Sequence, residues 1–384
     1  MKTRNVVSIM VALAIVTVFQ ADFTKLAAAA PTITSKSAAA TKASNQSEWE
    51  AVVKEARKEG KVVVYGDALG ETSKAWRTAF KSKYGIDIEF VLGRGGEMAQ
   101  KLLTERRAGL KLFDAAIGGP TTYFVVLKPA KVTGSIDPLV MQEEVRSPAN
   151  WRIRKMPYFD SDKTIIPLGS LAMFHLAVNP EMVKEGEIKS YDDLLNPKWK
   201  GKIALNDPTK TGPGNQWFTF LMLPQNYGPK KGVEYMKKLI AQDLAVMRDE
   251  RLQVESVAKG KYAVAIGMKH TLVAEFANAG APIKTITLTG RPCVLSGALN
   301  LYVSDSPAHP NAQKVLVNFL LSKEAGEIVS KTSGYVSERA DVSRAGLDPA
   351  IVPGPDDVVL GEEYNMSVAA NMKIAAELFR DLLK

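Results

Sequence analysis

The sequence predicts an α/β protein built as two lobes, each a mainly parallel sheet flanked by helices. Three observations predict it. Strand-like runs alternate with amphipathic helices from residue 47 onward, the pattern of strands covered on both faces. The chain has 384 residues, more than a single hydrophobic core usually covers. Apolar content of 46% against 24% charged residues is an ordinary globular balance.

The first element is at the amino terminus. Lys2 and Arg4 precede an apolar run from Val6 to Phe19, and small residues Ala27 to Ala30 come next. A basic start, a short apolar stretch and an A-x-A-like site make a cleavable signal peptide, residues 1–30. The run is too short for a spanning helix. Cleavage is expected after Ala29 or Ala30, and no cysteine lies nearby to carry a lipid. Residues 31–45 are rich in Ala, Ser, Thr and Lys without apolar period and read as a disordered lead-in. A helix is predicted from Ser47 to Glu59, with Trp49, Val52, Val53 and Ala56 at helical spacing. Lys61 to Tyr65, Asp87 to Val91 and Phe113 to Ile117 read as strands, with helices at Ser73 to Tyr84 and Glu97 to Ala108 between them. Gly169 to Asn179 and Leu295 to Val303 are apolar and strand-like. Between these two runs lie strand candidates Lys202 to Leu205, Leu244 to Met247 and Ala263 to Gly267. Helices are predicted near 216–223, 230–240 and 252–259. Pro310 to Ser322 places Ala312, Val315, Leu316, Phe319 and Leu320 on one helical face, and a last helix runs from Tyr364 to Leu383.

Composition excludes some chemistry. Cys293 is the single cysteine, so an internal disulfide, a thiolate metal site and a redox pair are all ruled out. His175, His270 and His309 lack metal-ligand spacing, and no metal or other cofactor is expected. The sequence has no Gly-x-Ser-x-Gly elbow and no His-Glu-x-x-His, which argues against an enzyme. Residues 1–45 hold no DNA-reading helix pair, so no nucleic acid is expected. The formal charge of +9 falls to +7 without residues 1–29, a balance that favours an anionic ligand or an anionic surface.

Tyr191 to Ile203 reads Tyr-Asp-Asp-Leu-Leu-Asn-Pro-Lys-Trp-Lys-Gly-Lys-Ile, with Asn206-Asp207-Pro208 behind it. Pro197 breaks a short helix, and Gly201 supplies a positive φ for the reversal into a strand. This run resembles the D-L-x-x-P-x-W-K-G-K segment of extracellular solute-binding proteins of the iron, thiamine and phosphonate type. The likeness extends from about Ser47 to Val342 and includes the Ser-Pro-x-His-Pro-Asn-Ala stretch before the helix at Pro310. It implies a type II periplasmic-binding-protein fold, joined by crossover strands. Residues 46–172 and 299–334 then form the first lobe and 173–298 the second, with 335–384 packing across both. It further implies a monomeric periplasmic receptor that delivers a small solute to an ABC permease and its ATPase.

The resemblance places ligand contacts on loops at the carboxyl ends of strands. Four loops fit: Gly66-Asp67-Ala68, Gly93-Arg94-Gly95-Gly96, Gly118-Gly119-Pro120-Thr121 and Thr209-Lys210-Thr211-Gly212-Pro213-Gly214. Their glycines allow close backbone approach, and loops that lead into helices offer free N–H groups to an anion. Candidate contacts are therefore Asp67, Ala68, Arg94, Gly95, Gly119, Thr121, Thr209, Thr211 and Gly212. To these are added Arg248, His270 and Tyr335. An arginine in a glycine loop can grip a carboxylate or phosphonate bidentately. Arg248 and Arg251 have a plainer reading, in which one of them pairs with Asp249 or Glu250. His175, Trp217 and Tyr302 are read as packing. The ferric-binding branch typically uses adjacent tyrosines, and this sequence contains no Tyr-Tyr pair. An organic anion is preferred over ferric iron, with an exported enzyme as the remaining alternative.

Overall fold

The computed structural model describes residues 35–66, 70–93, 95–173, 175–210, 212–288, 294–347, 351–353 and 358–380. The predicted signal peptide, most of the candidate Asp67–Ala68 turn, Arg94, Thr211 and Cys293 lie outside the described residues. The chain divides into Met1–Ser47 and Glu48–Lys384, and both sheets belong to the second unit. Helix α1 runs Ser35–Glu59. Residues 35–45, expected without structure, are helical, consistent with the high helix propensity of Ala38 to Ala40 and its lysines.

The first lobe begins with β1 (Lys61–Gly66), α2 (Glu71–Tyr84), β2 (Asp87–Leu92), α3 (Gly95–Arg107) and β3 (Ala115–Gly118). A short α4 (Pro120–Thr122) leads into one turn of π-helix at Tyr123–Leu127. Then come β4 (Thr133–Gly134), α5 (Glu143–Arg146) and β5 (Ile166–Met173). The second lobe holds β6 (Leu176–Val178), β7 (Ile203–Asn206), α6 (Pro213–Met222), α7 (Gly228–Ile240) and β8 (Ala245–Met247). It is completed by α8 (Glu250–Ala258), β9 (Val264–Ile266), α9 (His270–Asn278) and β10 (Lys284–Ile286). The chain returns through β11 (Val294–Ser304), α10 (Pro310–Leu320), α11 (Lys323–Ser333) and β12 (Val336–Ser337). It ends with β13 (Val358–Val359) and α12 (Glu362–Leu378).

Two sheets result, ordered β12-β5-β11-β3-β1-β2 and β10-β6-β9-β7-β8, with β4 and β13 also on β11. β1 pairs parallel with β2 and β3, and β7 with β8 and β9. The crossing strands depart from the parallel pattern. β11 runs antiparallel to β3, with Asn300 opposite Gly118 and Val303 opposite Ala115. β6 runs antiparallel to β9, with Val178 opposite Val264. β11 therefore enters at the carboxyl end of β3, and β6 enters at the carboxyl end of β9. A chain that passes between two sheets must enter each from the facing side. The carboxyl ends of the parallel strands in both sheets thus look toward the crossings.

Alternation along the strands buries both faces of each sheet. Val62 and Val64 face one cluster with Trp49, Trp76, Phe80, Phe319 and Val329, while Val63 and Tyr65 face Ala99, Leu102, Phe113 and Phe124. In the second sheet Leu176, Ile203, Leu205 and Ile266 pack on α6 and α7. On its other face Ala177, Ala204 and Ala265 lie side by side beneath α8 and α9. Small side chains there let α8 approach closely, and the buried Gln253 of α8 donates to the carbonyls of Ala204 at 3.1 Å and Ile266 at 2.8 Å.

Tyr191–Leu195 and Pro197–Trp199 form two 3-10 turns, joined at Asn196, whose side chain accepts from the Lys198 N–H. Gly201 has φ 71°, as the reversal requires. Trp199 is buried in the second-lobe core, with the Lys198 ammonium 4.1 Å from its ring centre. The segment is a structural corner: it fixes where β7 begins. No helix among the described residues is long and apolar enough to cross a membrane.

Candidate ligand-binding site

Second-lobe loops converge at the carboxyl ends of β7, β8 and β9. Asn206 ends β7, and its side-chain oxygen accepts from the Gly214 N–H at 3.2 Å while its amide donates to the Met247 carbonyl. The buried Asp207 carboxylate accepts from the Thr209 N–H at 2.9 Å and from its hydroxyl at 2.6 Å. Its other oxygen accepts from Arg248 Nε at 3.1 Å. Arg248 belongs to the turn after β8, so this pair locks two strand ends together. The Arg248 side chain remains 70% exposed while Asp207 is 2% exposed: the carboxylate fixes the base of the guanidinium and leaves its far edge to solvent. Asp249 caps α8 by accepting from the Leu252 N–H. Arg251 pairs with Glu275 of α9 at 2.9 Å, so neither arginine takes the neighbouring acid that the sequence offered.

Two glycines make this corner possible. An added Cβ at Gly214 would stand 2.1 Å from the Asn206 carbonyl oxygen, and one at Gly267 (φ +68°) would lie 2.8 Å from Gly214 Cα. The turns after β7 and β9 touch backbone to backbone, which only glycine permits. Thr209, Gly212 and Arg248 are thus brought together. His270 lies in the first turn of α9, buried, with Nδ1 3.0 Å from the Thr285 hydroxyl of β10. That contact ties α9 to the edge strand.

In the first lobe, the loop after β3 carries Gly119 and Thr121 and starts α4, and Gly95 opens α3. The loops that carry Gly95, Gly119 and Gly212 lead directly into α3, α4 and α6. The Thr121 hydroxyl donates to Asn365 Oδ1 of α12 at 2.8 Å. The Asn365 amide is oriented by donating to the Gly361 carbonyl. The adjacent Tyr364 donates its hydroxyl to the Gln216 carbonyl of α6 at 2.9 Å, and burial pushes that phenol's pKa up. Neighbouring residues of α12 therefore hold α4 of one lobe and α6 of the other. Tyr335 stands before β12, at the edge of the first sheet where β5 and β11 separate it from β3; it packs against Gly169. His175, Trp217 and Tyr302 are buried, Trp217 and Tyr302 among core side chains.

Sequence reasoning missed Asn206, Asp207 as the anchor of Arg248, Gln253 and Asn365. The Asn206-Asp207-Pro208 run directly behind a strand was a usable signal for the first two. Asn365 sits within an ordinary amphipathic helix and offered none.

Comparison with known proteins agrees with this arrangement. Residues 75–352 match the family model of the bacterial extracellular solute-binding proteins. The chain is 26% identical over 325 residues to an uncharacterised protein of Haemophilus influenzae, covering 78% of this chain and 85% of that one. It is 25% identical over 295 residues to a putative 2-aminoethylphosphonate-binding periplasmic protein of Salmonella typhimurium, covering 74% and 81%. Among solved structures, the Trichodesmium protein IdiA (FutA), with iron and citrate, aligns with a TM-score of 0.68 at 16% identity, covering 83% of this chain and 99% of that one. AfuA of Actinobacillus pleuropneumoniae, with fructose-6-phosphate, aligns at 0.63 with 18% identity, covering 84% and 99%. The structural likenesses establish a two-lobed periplasmic-binding-protein fold, and the family match, spanning well over half the sequence, establishes that this chain belongs to the bacterial extracellular solute-binding proteins.

Proposed function

We propose that this solute-binding protein captures a small anionic solute between its lobes and presents it to the membrane permease of an ABC importer. The observation that carries the reading is the strand direction. β11 and β6 enter at the carboxyl ends of β3 and β9, so both sets of loops face one gap, the usual ligand position in such sheets. Gly119, Thr121, Thr209, Gly212 and Arg248 stand on those loops, with Asp67, Ala68, Arg94, Gly95 and Thr211 alongside by sequence; His270 and Tyr335 are the outlying candidates. The exposed guanidinium edge of Arg248, held by a buried carboxylate, suits an oxyanion. One protein of similar sequence is named for binding 2-aminoethylphosphonate and one of similar fold was solved with fructose-6-phosphate, which supports a phosphorus oxyanion as the solute. Contacts from both lobes would favour the closed state through differential affinity. We further propose that the protein is exported by its first 30 residues and acts as a monomer in the periplasm.

A thermal-shift screen of the mature protein tests this, since a ligand that binds only the folded state raises the melting temperature. Stabilisation by 2-aminoethylphosphonate, a hexose phosphate or a small carboxylate is expected. Arg94→Ala should then weaken binding by about 1.5–3 kcal/mol, the worth of a charge-assisted hydrogen bond. Stabilisation by ferric iron alone would overturn the anionic reading.

A further inference from the structure

The chain passes between the lobes three times: between β5 and β6, between β10 and β11, and where β13, paired to β11 of the first sheet, leads into α12. The third passage differs from the others because it runs into a helix that contacts both lobes. Leu360, Tyr364, Val368, Ala375 and Phe379 are buried among second-lobe residues such as Trp217 and Phe220, so the body of α12 belongs to the second-lobe core. Its first turn also reaches back. Glu362 accepts from Lys128 at 3.0 Å, and Asn365 accepts from Thr121 at 2.8 Å. Lys128 is itself anchored on the first lobe, 3.1 Å from the fully buried carboxylate of Asp160 and 3.4 Å from Asp162. Asp160 is in turn fixed by the Thr164 N–H at 2.9 Å. The grip is therefore well founded on one side and carried by a half-exposed glutamate on the other.

We propose that the first turn of α12 is a breakable tether between the lobes, holding the first lobe through Lys128–Glu362 and Thr121–Asn365 while its apolar face rides with the second. Rotation of the lobes about the three passages shears these two contacts, because they join elements belonging to different lobes. The tether thus narrows the range of interlobe angles before any solute arrives. It also attaches to the loop after β3, one of the loops facing the gap, so lobe rotation and the setting of Thr121 are linked.

The test needs no solute and stands apart from the transport reading. Spin labels are placed at the exposed Lys54→Cys and Lys237→Cys, one on each lobe, with Cys293→Ser removing the native thiol. Interlobe distance distributions are then measured by pulsed electron paramagnetic resonance. Glu362→Gln should broaden the ligand-free distribution, and Glu362→Lys, which sets two ammonium groups against each other, should broaden it further. Glu362 is 43% exposed, so both variants are expected to fold, and a melting curve checks it. Superimposable distributions in all three proteins would overturn the proposal. A lowered melting temperature with an unchanged distribution would overturn it equally, leaving α12 a purely structural role.

Discussion

The two lobes solve the same problem, fixing loops at the ends of parallel strands, in different ways. The second lobe ties its strand ends to one another: Asn206 to Gly214, Asp207 to Thr209 and Arg248, and Gly267 against Gly214. The first lobe's loop after β3 finds a partner outside its own sheet, with the Thr121 hydroxyl bonded to Asn365 of α12. One set of strand-end loops is self-supporting and the other is completed by the last helix. Self-supporting contacts keep their geometry when the lobes move, which is what preorganisation of a binding surface requires.

The largest effect that can break this comparison comes from glycine replacement. A Cβ at Gly66 would stand 2.3 Å from the Ile117 carbonyl oxygen, and one at Gly214 2.1 Å from that of Asn206. Both clashes are with backbone, so Gly66→Ala and Gly214→Ala should each cost about 3 kcal/mol, read from urea unfolding. Gly214→Ala is expected to be the worse, because Gly267 presses on the same atoms and leaves no room to relax. Equal losses would mean the two strand ends are equally constrained.

A smaller effect sharpens the contrast between redundant and single anchors. Thr121→Val leaves Asn365, which is 1% exposed, with a buried oxygen unsatisfied, and should cost about 1–2 kcal/mol. Thr209→Val removes one of three bonds to Asp207, whose carboxylate keeps the Thr209 N–H and Arg248, and should cost about 0.5 kcal/mol. Reversal of that order in thermal unfolding would contradict the description of the second lobe as self-tied.

A third effect is a pH dependence with one sign in both lobes. The backbone N–H groups of Lys189 and then Ser190 hold the Asp193 carboxyl below its ordinary value, at the corner before β7. Hydrogen bonds from Arg339 hold Asp341 low in the first lobe. A depressed carboxylate contributes stability above its ordinary pKa of about 3.9, and loses it as pH falls through the lower folded value. Both lobes should therefore weaken below about pH 4. Asp193→Ala should cost about 1 kcal/mol at neutral pH and flatten part of that acid decline. An acid limb unchanged in the variant would mean that Asp193 plays no part in it.

Much of this architecture was legible because it rests on local pattern. Lys61 to Tyr65 is a β-branched run bounded by Gly60 and Gly66, Asp87 to Val91 is a second short strand-like run, and the structure starts β1 and β2 at the same residues. β10, three residues long, carries too little sequence to show a period. α9 was missed because Thr271, Val273 and Phe276 weaken its helical signal. α11 begins at a Ser322 cap that could have been recognised. In the candidate site, the loops were legible through their glycines, whereas the pairings were not. Asp207 and Arg248 lie 41 residues apart, and Thr121 and Asn365 lie 244 apart. Nothing local marks either pair, since each exists only once strands are registered side by side.

The placement of β11 bears on the order in which the molecule can assemble. It lies between β3 and β5, near the middle of the first sheet, yet it is synthesised after every strand of the second sheet. Until Val294 and the residues behind it have left the ribosome, β3 and β5 have no strand to join them, and α10 and α11 are missing from that core. The second sheet, made entirely of residues 176–286, meets no such delay. The earliest-made strands thus wait for a late one: β3 lacks its neighbour in the sheet until Val294 and the residues behind it, of 384 in the chain, have been made.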